Sequence, residues 1–443
     1  MENYIDEIKD ESLNWLNSFF DENIPENMGE EKKKSSNKIL ISYSDDKKII
    51  DTLFDWDKTQ FIEYNRLSND ISLKGRIKIK SVLYSPINPN SWFIDNWLIL
   101  FPWSLAEYES DKVLINDIRA FIHKYVDIQE ELEIVCVYYI IMTYFFQKFS
   151  EVPYLRVIWD YWSWKSRFLK TIGWLCHNPI IVNWWLSSSA LFRILDMVKW
   201  TLVFDEADLK QSDTTNEVVK ILNNGYQKWQ SIIRADWNKF EVNSYSVFWP
   251  KVIWSREDFK DKALESRCIT FIMKRTNRTD IKRNLDEDFE KEALELRNKL
   301  INYKYKNYNT ISLKEDVIEW LEPRLNQIIN PILSVIDDED DKIVVILNSL
   351  NYQDELKKDR YLSLEWQIFQ TVHDLLLKNE SITYSSILYE IGIDYKLHPR
   401  KLGSILKNHW IIAYRTNKWF QIDMNKNKDV LEKHYREYFI TNT

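Results

Sequence analysis

The sequence has very little glycine: 6 of its 443 residues are glycine, whereas 20 are tryptophan. Average proteins carry about 7% glycine, because tight turns and close backbone contacts need a residue without a Cβ atom. Cysteine is also rare, and Cys136, Cys176 and Cys268 are scattered along the chain. This pattern excludes a cysteine-based zinc site and favours a reducing cytoplasm. The six histidines are equally scattered and form no metal-binding motif.

Long hydrophobic runs and a positive net charge are missing as well. The longest apolar run, Ile134–Phe146, is too short to span a bilayer and predicts a buried helix. The acidic N-terminus lacks the apolar core of a signal peptide. A net charge of −8 means that any contact with nucleic acid needs a local basic patch. We therefore predict a cytoplasmic protein of two to four domains, at about 150 residues per domain.

The segment Pro153–Ser166, which reads PYLRVIWDYWSWKS, has the layout of a phosphate-binding loop. A short apolar strand leads into a loop, and Lys165 and Ser166 then open a helix, in register with the motif G-x-x-x-x-G-K-[ST]. The loop itself carries tryptophan where the motif requires glycine. Glycine is needed there because backbone N–H groups wrap the phosphates at dihedral angles that a Cβ atom resists. Trp159 and Trp164 stand at the two glycine positions of the motif, and Trp162 lies between them in the same loop.

Other tryptophans also occupy positions where turns favour glycine. Trp237 follows Asp236 at a hairpin position, Trp97 follows Asn96, and Trp410 follows a predicted helix at its C′ position. Our interpretation is that many of these tryptophans stand for glycine, through UGA codons that the source genome reads as glycine. The alternative is a tryptophan-rich protein with a decayed loop, which UGG codons at positions 159, 162 and 164 would establish. Helix-like contexts predict genuine tryptophans at Trp15, Trp56, Trp320 and Trp366.

Changes in pattern divide the chain into five segments. Alternating strands and helices predict an α/β core with a parallel sheet, and the last segment has the helix and hairpin order of a winged helix. The segments are a charged N-terminal linker (1–37), a small β-rich domain (38–110), a P-loop ATPase domain with leading helices (111–275), a helical lid or linker (276–360) and a winged-helix domain (361–443).

A second motif follows the buried strand Thr201–Phe204, where Asp205 and Glu206 stand at its carboxyl end. Together with a glycine-containing loop, this acid pair predicts an ATPase that uses ATP and Mg²⁺. Lys165 would neutralise phosphate charge, Ser166 and Asp205 would hold the Mg²⁺, and Glu206 would polarise the attacking water. A solvated turn is the alternative for such an acid pair. The predicted nucleotide-binding residues are Trp159, Asp160, Tyr161, Trp162, Ser163, Trp164, Lys165 and Ser166.

The stretch Tyr154–Met273 resembles the AAA+ ATPases, in the layout of the superfamily 3 and MCM-like helicases of mobile elements. The resemblance implies a DNA-contacting hairpin at 231–247 that includes Lys239, and an arginine finger at Arg267 in the segment ALESRC. It also implies a sensor at Ser255, where the family more often has Asn or Thr, and a second sensor at Arg324. A surface salt bridge is the alternative for Arg267, and an ordinary helical arginine is the alternative for Arg324. A finger implies ATP between subunits, hence a homo-oligomer, expected as a hexameric ring.

The last predicted helix and hairpin form a local basic face without acids. We expect this face to contact DNA, since winged helices place such residues against the groove and the backbone, although a protein-binding role is the alternative. The predicted function is that of an ATP-dependent helicase or helicase loader. The rivals are an ATP-switched transcription regulator and, if the tryptophans are real, a catalytically dead scaffold. The predicted DNA-binding residues are Lys239, Lys396, Arg400, Lys401, Lys407, Arg415 and Lys418.

Overall fold

The computed structural model divides the chain into two compact units, one up to Ser349 and the other from Leu350. It describes residues 38–158, 165–183, 201–205, 213–236, 241–256, 258–259, 261–273, 278–282, 284–314, 317–361, 364–378, 382–391, 397–416 and 420–435.

The described part of the first unit begins with seven short strands in two sheets. Strands β2 to β5 form an antiparallel sheet in chain order, and β1, β7 and β6 form a second sheet in that order. Ile50 and Phe61 pack with Ile77 and Ile79, so the two sheets share a small core. The strands are β1 (Lys38–Ile39), β2 (Tyr43–Ser44), β3 (Lys48–Phe54), β4 (Thr59–Asn65), β5 (Ile71–Lys74), β6 (Ile77–Ile79) and β7 (Val82–Ser85).

Three helices lead from these strands to the central sheet. They are α1 (Trp92–Asp95), α2 (Asp111–Tyr125) and α3 (Glu130–Phe145). Helix α2 begins where the Ser110 side chain accepts a hydrogen bond from the Val113 N–H. From Glu133 onward every residue of α3 is buried, which confirms the buried helix that the apolar run predicts.

The central sheet confirms the predicted α/β class. Its five described strands are all parallel, in the order β14-β8-β13-β10-β9, so that β13 lies between the strand of the predicted phosphate loop and the strand of the acid pair. An antiparallel hairpin, β11 with β12, precedes β13 as predicted. The elements are β8 (Tyr154–Ile158), α4 (Lys165–Gly173), β9 (Pro179–Asn183), β10 (Thr201–Asp205), α5 (Asp213–Asn224), β11 (Ser231–Asp236), β12 (Glu241–Ser246), β13 (Lys251–Ser255), α6 (Lys262–Glu265) and β14 (Cys268–Ile272).

Helices make up most of the remaining described chain. The first unit continues with α7 (Glu287–Asn307), α8 (Pro323–Leu333) and the first part of α9 (Glu339–Tyr361), up to Ser349. The second unit has its own apolar core, in which Ile368, Ile387, Leu402 and Leu406 are fully buried. Its elements are α10 (Leu364–Leu377), α11 (Tyr384–Ile391), α12 (Pro399–Asn408), the antiparallel strands β15 (Ala413–Arg415) and β16 (Phe420–Ile422), and α13 (Met424–Tyr435).

A buried ionic cluster joins strand β3 to helix α7 and to the segment between α4 and β9. Asp51 on β3 accepts hydrogen bonds from Lys304 Nζ at 2.7 Å and Tyr305 Oη at 2.9 Å, and its other oxygen lies 3.0 Å from His177 Nε2. Burial alone would raise the pKa of Asp51, but the adjacent Lys304 and His177 lower it well below its usual value. Burial and the neighbouring ammonium lower the pKa of His177. The cluster holds three distant parts of the chain in one place.

Tryptophan occupies positions that favour glycine in the described backbone. Seven described residues other than glycine have positive φ, and four of them are Trp56, Trp97, Trp229 and Trp410. This left-handed region costs a residue with a Cβ atom about 1–3 kcal/mol. Trp410 follows α12, and the Ile411 N–H donates to the Leu406 carbonyl at 2.9 Å, the bonding pattern that usually places glycine at C′. The prediction that Trp410 occupies C′ is confirmed.

The prediction of a helical context is wrong for two of the four tryptophans expected to be genuine. Trp56 lies in the turn between β3 and β4, with φ of 69°, because the Asp55 side chain and backbone close that turn onto Lys58. Trp320 lies in a turn before α8 and is exposed. Trp366 lies in α10 as expected, and Trp15 lies outside the described residues.

Replacing Trp229 by glycine should therefore stabilise the protein. Trp229 has φ of 68° and is 82% exposed, so Trp229→Gly removes backbone strain of about 1–3 kcal/mol and little buried surface. Trp254→Gly is the matched control, because Trp254 lies inside β13 and is 2% exposed. This control should lose about 3 kcal/mol or more. Urea unfolding of the two variants measures both effects, and a destabilised Trp229→Gly protein would contradict the strain argument.

Candidate functional site

Three strands of the central sheet end side by side at its carboxyl edge. Strand β8 ends at Ile158, where the predicted phosphate loop begins, and its neighbour β13 ends at Ser255, opposite Ile158 in the strand register. Strand β10 lies on the other side of β13 and ends at Asp205. Ligands of open parallel sheets bind at this edge, because the loops that follow the strands converge there. Ser255 and the half-buried Asp205 therefore lie where the loop motif would hold a nucleotide.

The Ser255 hydroxyl is a buried polar group at this edge. Ser255 is 1% exposed, and its Oγ atom has no hydrogen-bond partner in the part of the chain that the structure describes. Buried hydroxyls are normally hydrogen-bonded. An oxygen-rich group placed between β8 and β10 would give this hydroxyl an acceptor. A hydroxyl and a carboxylate, here Ser255 and Asp205, are groups that would suit a phosphate oxygen and its bound cation.

Helix α4 carries the lysine and serine of the predicted loop. It begins at Lys165, and the half-buried Ser166 lies in its first turn. A helix N-terminus favours an anion, since its first N–H groups are unpaired. Gly173 lets α4 lie close against the acid-pair strand, because a Cβ atom added there would be 2.7 Å from Val203 Cγ2. Arg167 also donates to the Tyr125 carbonyl at 3.3 Å, which anchors α4 to α2.

Several predicted site residues lie outside the described residues. For the nucleotide site they include the loop tryptophans and Glu206, and for Lys165 only the backbone is described. For DNA contact they include the tip of the β11–β12 hairpin. The full set is Trp159, Asp160, Tyr161, Trp162, Ser163, Trp164, Glu206, Lys239, Lys396 and Lys418.

The predicted arginine finger, Arg267, and the predicted second sensor, Arg324, both lie over the ring of Tyr226. The Cζ atoms of Arg267 and Arg324 are 4.4 Å and 4.6 Å from the centroid of the Tyr226 ring. Arg267 also donates to the Ala263 carbonyl of its own helical turn. The nearby Glu151 is buried, which raises its pKa, while both arginines oppose that rise. Sequence reasoning missed Tyr226 and Glu151, because neither belongs to a motif.

This arginine pair lies at the amino edge of the sheet. Arg267 directly precedes β14, and its carbonyl accepts a hydrogen bond from the N–H of Tyr154, the first residue of β8. The five residues of β8 separate this edge from the loop edge by roughly 13 Å. That distance exceeds the span of an arginine side chain. Arg267 therefore cannot contact a nucleotide held at the carboxyl edge of its own sheet.

The second unit carries exposed basic residues on one helix and one strand. Arg400, Lys401 and Lys407 are exposed on α12, while Leu402 and Leu406 of the same helix face the core. Arg415 is exposed on β15. The amphipathic packing of α12 therefore leaves its basic residues available for an anionic partner.

The described residues offer neither a metal cluster nor a membrane-spanning helix. These residues contain no group of three or more His, Cys, Asp or Glu side chains that could hold a metal ion. None of their helices is both long and apolar enough to cross a membrane.

Comparisons with known proteins reveal only remote similarities. No protein-family model and no curated protein matches the chain. The apo A-form structure of the NrS-1 C-terminal region aligns with 84% of this chain and 96% of its own, with a TM-score of 0.35 and 10% identity. The structure of Drosophila ORC bound to DNA aligns with 75% of this chain and 94% of its own, with a TM-score of 0.20 and 12% identity.

Proposed function

We propose that the protein is an ATP-hydrolysing AAA+ protein that acts on DNA, as a helicase or a helicase loader, with glycine at positions 159, 162 and 164. The observation that carries this proposal is the meeting of Ile158, Ser255 and Asp205 at one edge of a parallel sheet. The helix opened by Lys165 and Ser166 packs on the same sheet. A nucleotide bound at this edge would then lie close to Ser255 and Asp205.

Each residue at this edge has a distinct task. Lys165 and the N-terminus of α4 bind phosphate charge, and Ser255 donates its hydroxyl to a phosphate oxygen or to the attacking water. Ser166 and Asp205 would hold a Mg²⁺ ion, which neutralises charge that develops on the phosphates. Glu206, next to Asp205 in the sequence, orients and polarises the water.

The position of Arg267 supports an assembly in which subunits share their sites. Because Arg267 lies at the sheet edge opposite its own Asp205, any nucleotide that it contacts is held by a neighbouring copy. An arginine supplied from outside stabilises the charge of phosphoryl transfer. A homo-oligomer follows, and a closed ring gives every copy the same pair of neighbours.

Two exposed elements support DNA as the substrate. The β11–β12 hairpin precedes β13, and Ile233 on it is 69% exposed. In the second unit, three helices and a hairpin follow the order of a winged helix and present Arg400, Lys401 and Arg415 to solvent. Strand displacement on a forked duplex distinguishes a helicase from an ATP-switched regulator, which would bind duplex DNA without unwinding it.

Two substitutions in the glycine-restored chain test the ATPase. That chain is the full-length protein carrying glycine at every position that its gene encodes as UGA. Lys165→Ala should weaken nucleotide binding by ~10–100-fold, because a phosphate loses its charged partner. Glu206→Gln should keep binding and lose turnover, because only water activation is removed.

Calorimetry with Mg·ATP and a phosphate-release assay measure the two effects. Lys170→Ala is the matched control, since Lys170 is exposed on the same helix and should change neither quantity. Equal hydrolysis rates in the parent and both variants would remove the hydrolase assignment.

A further inference from the structure

The strand that precedes the phosphate loop carries a buried arginine. Arg156 lies in the middle of β8, two residues before the loop begins, and its side chain is 0% exposed. A charge in this position is costly unless it is paired and hydrogen-bonded. Its partners therefore show what the residue does.

Each polar group of the Arg156 side chain has a partner. Nη1 donates to Glu265 at 2.7 Å, and Nη2 donates both to the other oxygen of Glu265 and to Asp258 at 3.1 Å. Nε donates to Thr270 Oγ1 at 3.1 Å, and the guanidinium lies 4.6 Å from the centroid of the Phe259 ring. The pairing with Glu265 is bidentate, the geometry in which arginine fixes orientation best.

These partners belong to the elements that carry the proposed sensor and finger. Asp258 and Phe259 follow β13 within four residues of Ser255. Glu265 ends α6, two residues before Arg267, and it also accepts the Phe259 N–H at 3.0 Å. Arg156 thus joins the loop strand, the segment after the sensor strand and the turn before Arg267.

We infer that Arg156 is a positioning residue that holds α6, and with it Arg267, in a fixed place relative to the phosphate-loop strand. The inference rests on the proposed function. The hydrogen-bond partners of the Arg156 side chain among the described residues lie in β14, in α6 and in the segment after β13, and neither Ser255 nor Asp205 is one of them. Loss of Arg156 should therefore impair the action of Arg267 on the nucleotide of the neighbouring subunit. The nucleotide site of the altered subunit itself should stay intact.

Assemblies mixed from two variants distinguish a misplaced Arg267 from a damaged nucleotide site. The glycine-restored chain is tested as Arg156→Lys, which keeps the charge but cannot make the bidentate pair. Alone, this variant should bind ATP within twofold of the parent and hydrolyse it at least tenfold more slowly. Mixed with Glu206→Gln, whose arginine edge is intact, it should recover activity. Mixed with Arg267→Ala, it should stay inactive, because neither variant supplies a correctly placed arginine to its neighbour.

The opposite pattern overturns the inference. If Arg156→Lys rescues Arg267→Ala but not Glu206→Gln, the residue supports its own nucleotide site, and parental rates in Arg156→Lys alone would exclude any such role. Arg297→Lys is the matched control, because Arg297 is also buried but donates to the Trp174 carbonyl, away from α6, and should complement both partners. If Arg156→Lys does not fold, the double variant Arg156→Met with Glu265→Met removes both charges and is subject to the same two mixtures.

Different results would contradict the proposed function and the role of Arg156. A parent chain without ATP hydrolysis, or a mixture of Glu206→Gln with Arg267→Ala that stays inactive, removes the shared site itself. A parent that hydrolyses ATP, with that mixture active and the Arg156→Lys pattern reversed, removes only the role of Arg156.

Discussion

Removing the Arg267 side chain should lower ATP hydrolysis by ~10³-fold or more and leave nucleotide affinity unchanged. Arg267 stands at the amino edge of the sheet, so Arg267→Ala alters no group at the carboxyl edge where Asp205 and Ser255 lie. On the proposed function, hydrolysis should fall because the phosphates bound by the neighbouring subunit would lose this external positive charge. Phosphate release and calorimetry on the glycine-restored chain give the rate and the affinity.

A mixture of variants shows whether the arginine acts between subunits. Arg267→Ala combined with Glu206→Gln should regain some activity, since each copy supplies what the other lacks. Arg278→Ala is a suitable control, because this arginine pairs with the exposed Asp280 at 2.6 Å. If the mixture stays inert while the control is normal, the contacts of Arg267 with Tyr226 and the Ala263 carbonyl are its whole role.

The polypeptide with tryptophan at positions 159, 162 and 164 should fold and yet bind no Mg·ATP at millimolar concentration. A glycine dihedral forced on each tryptophan costs about 1–3 kcal/mol, so the loop should relax to a shape in which its N–H groups no longer converge. An indole that stayed would also fill the phosphate space. The sheet should survive, because Leu155, Val157, Leu202 and Val203 are buried independently of the loop.

Calorimetry before and after restoring glycine tests this expectation. The triple change Trp159→Gly, Trp162→Gly and Trp164→Gly should restore binding, whereas Trp410→Gly, in the second unit, should not. Circular dichroism confirms that both proteins are folded. Clear binding by the tryptophan form would show that the loop tolerates side chains, and the stated reason for requiring glycine would be wrong.

The central fold is predictable because its strands, helices and hairpin leave patterns within short stretches of the sequence. Apolar strands alternating with helices predicted a parallel sheet, and the paired runs around Asp236 predicted the hairpin. The order of the five described strands, which sets Ser255 beside Ile158, is not encoded by any spacing. The sequence predicts a helix at Trp56, where the structure has a turn. A turn closed by the Asp55 side chain leaves little mark on helical periodicity.

The networks that organise the sites could not be predicted in the same way. Asp51 meets Lys304 across 253 residues of chain, and Arg156 meets Glu265 across 109. In isolation each of these residues is an ordinary charged side chain, for which a solvated surface position is the usual expectation. Only the packing of distant elements shows that they are buried and paired.

The four tryptophans with positive φ also have a consequence for inheritance. If UGA specifies glycine in the source genome, the same gene entering a cell that reads UGA as a stop codon yields only fragments. In a cell that reads it as tryptophan, the product keeps its sheets but has strained turns at Trp56, Trp97, Trp229 and Trp410. Either way the recipient would lack the proposed ATPase. The backbone's demand for glycine would thereby confine the gene to hosts that share one decoding rule.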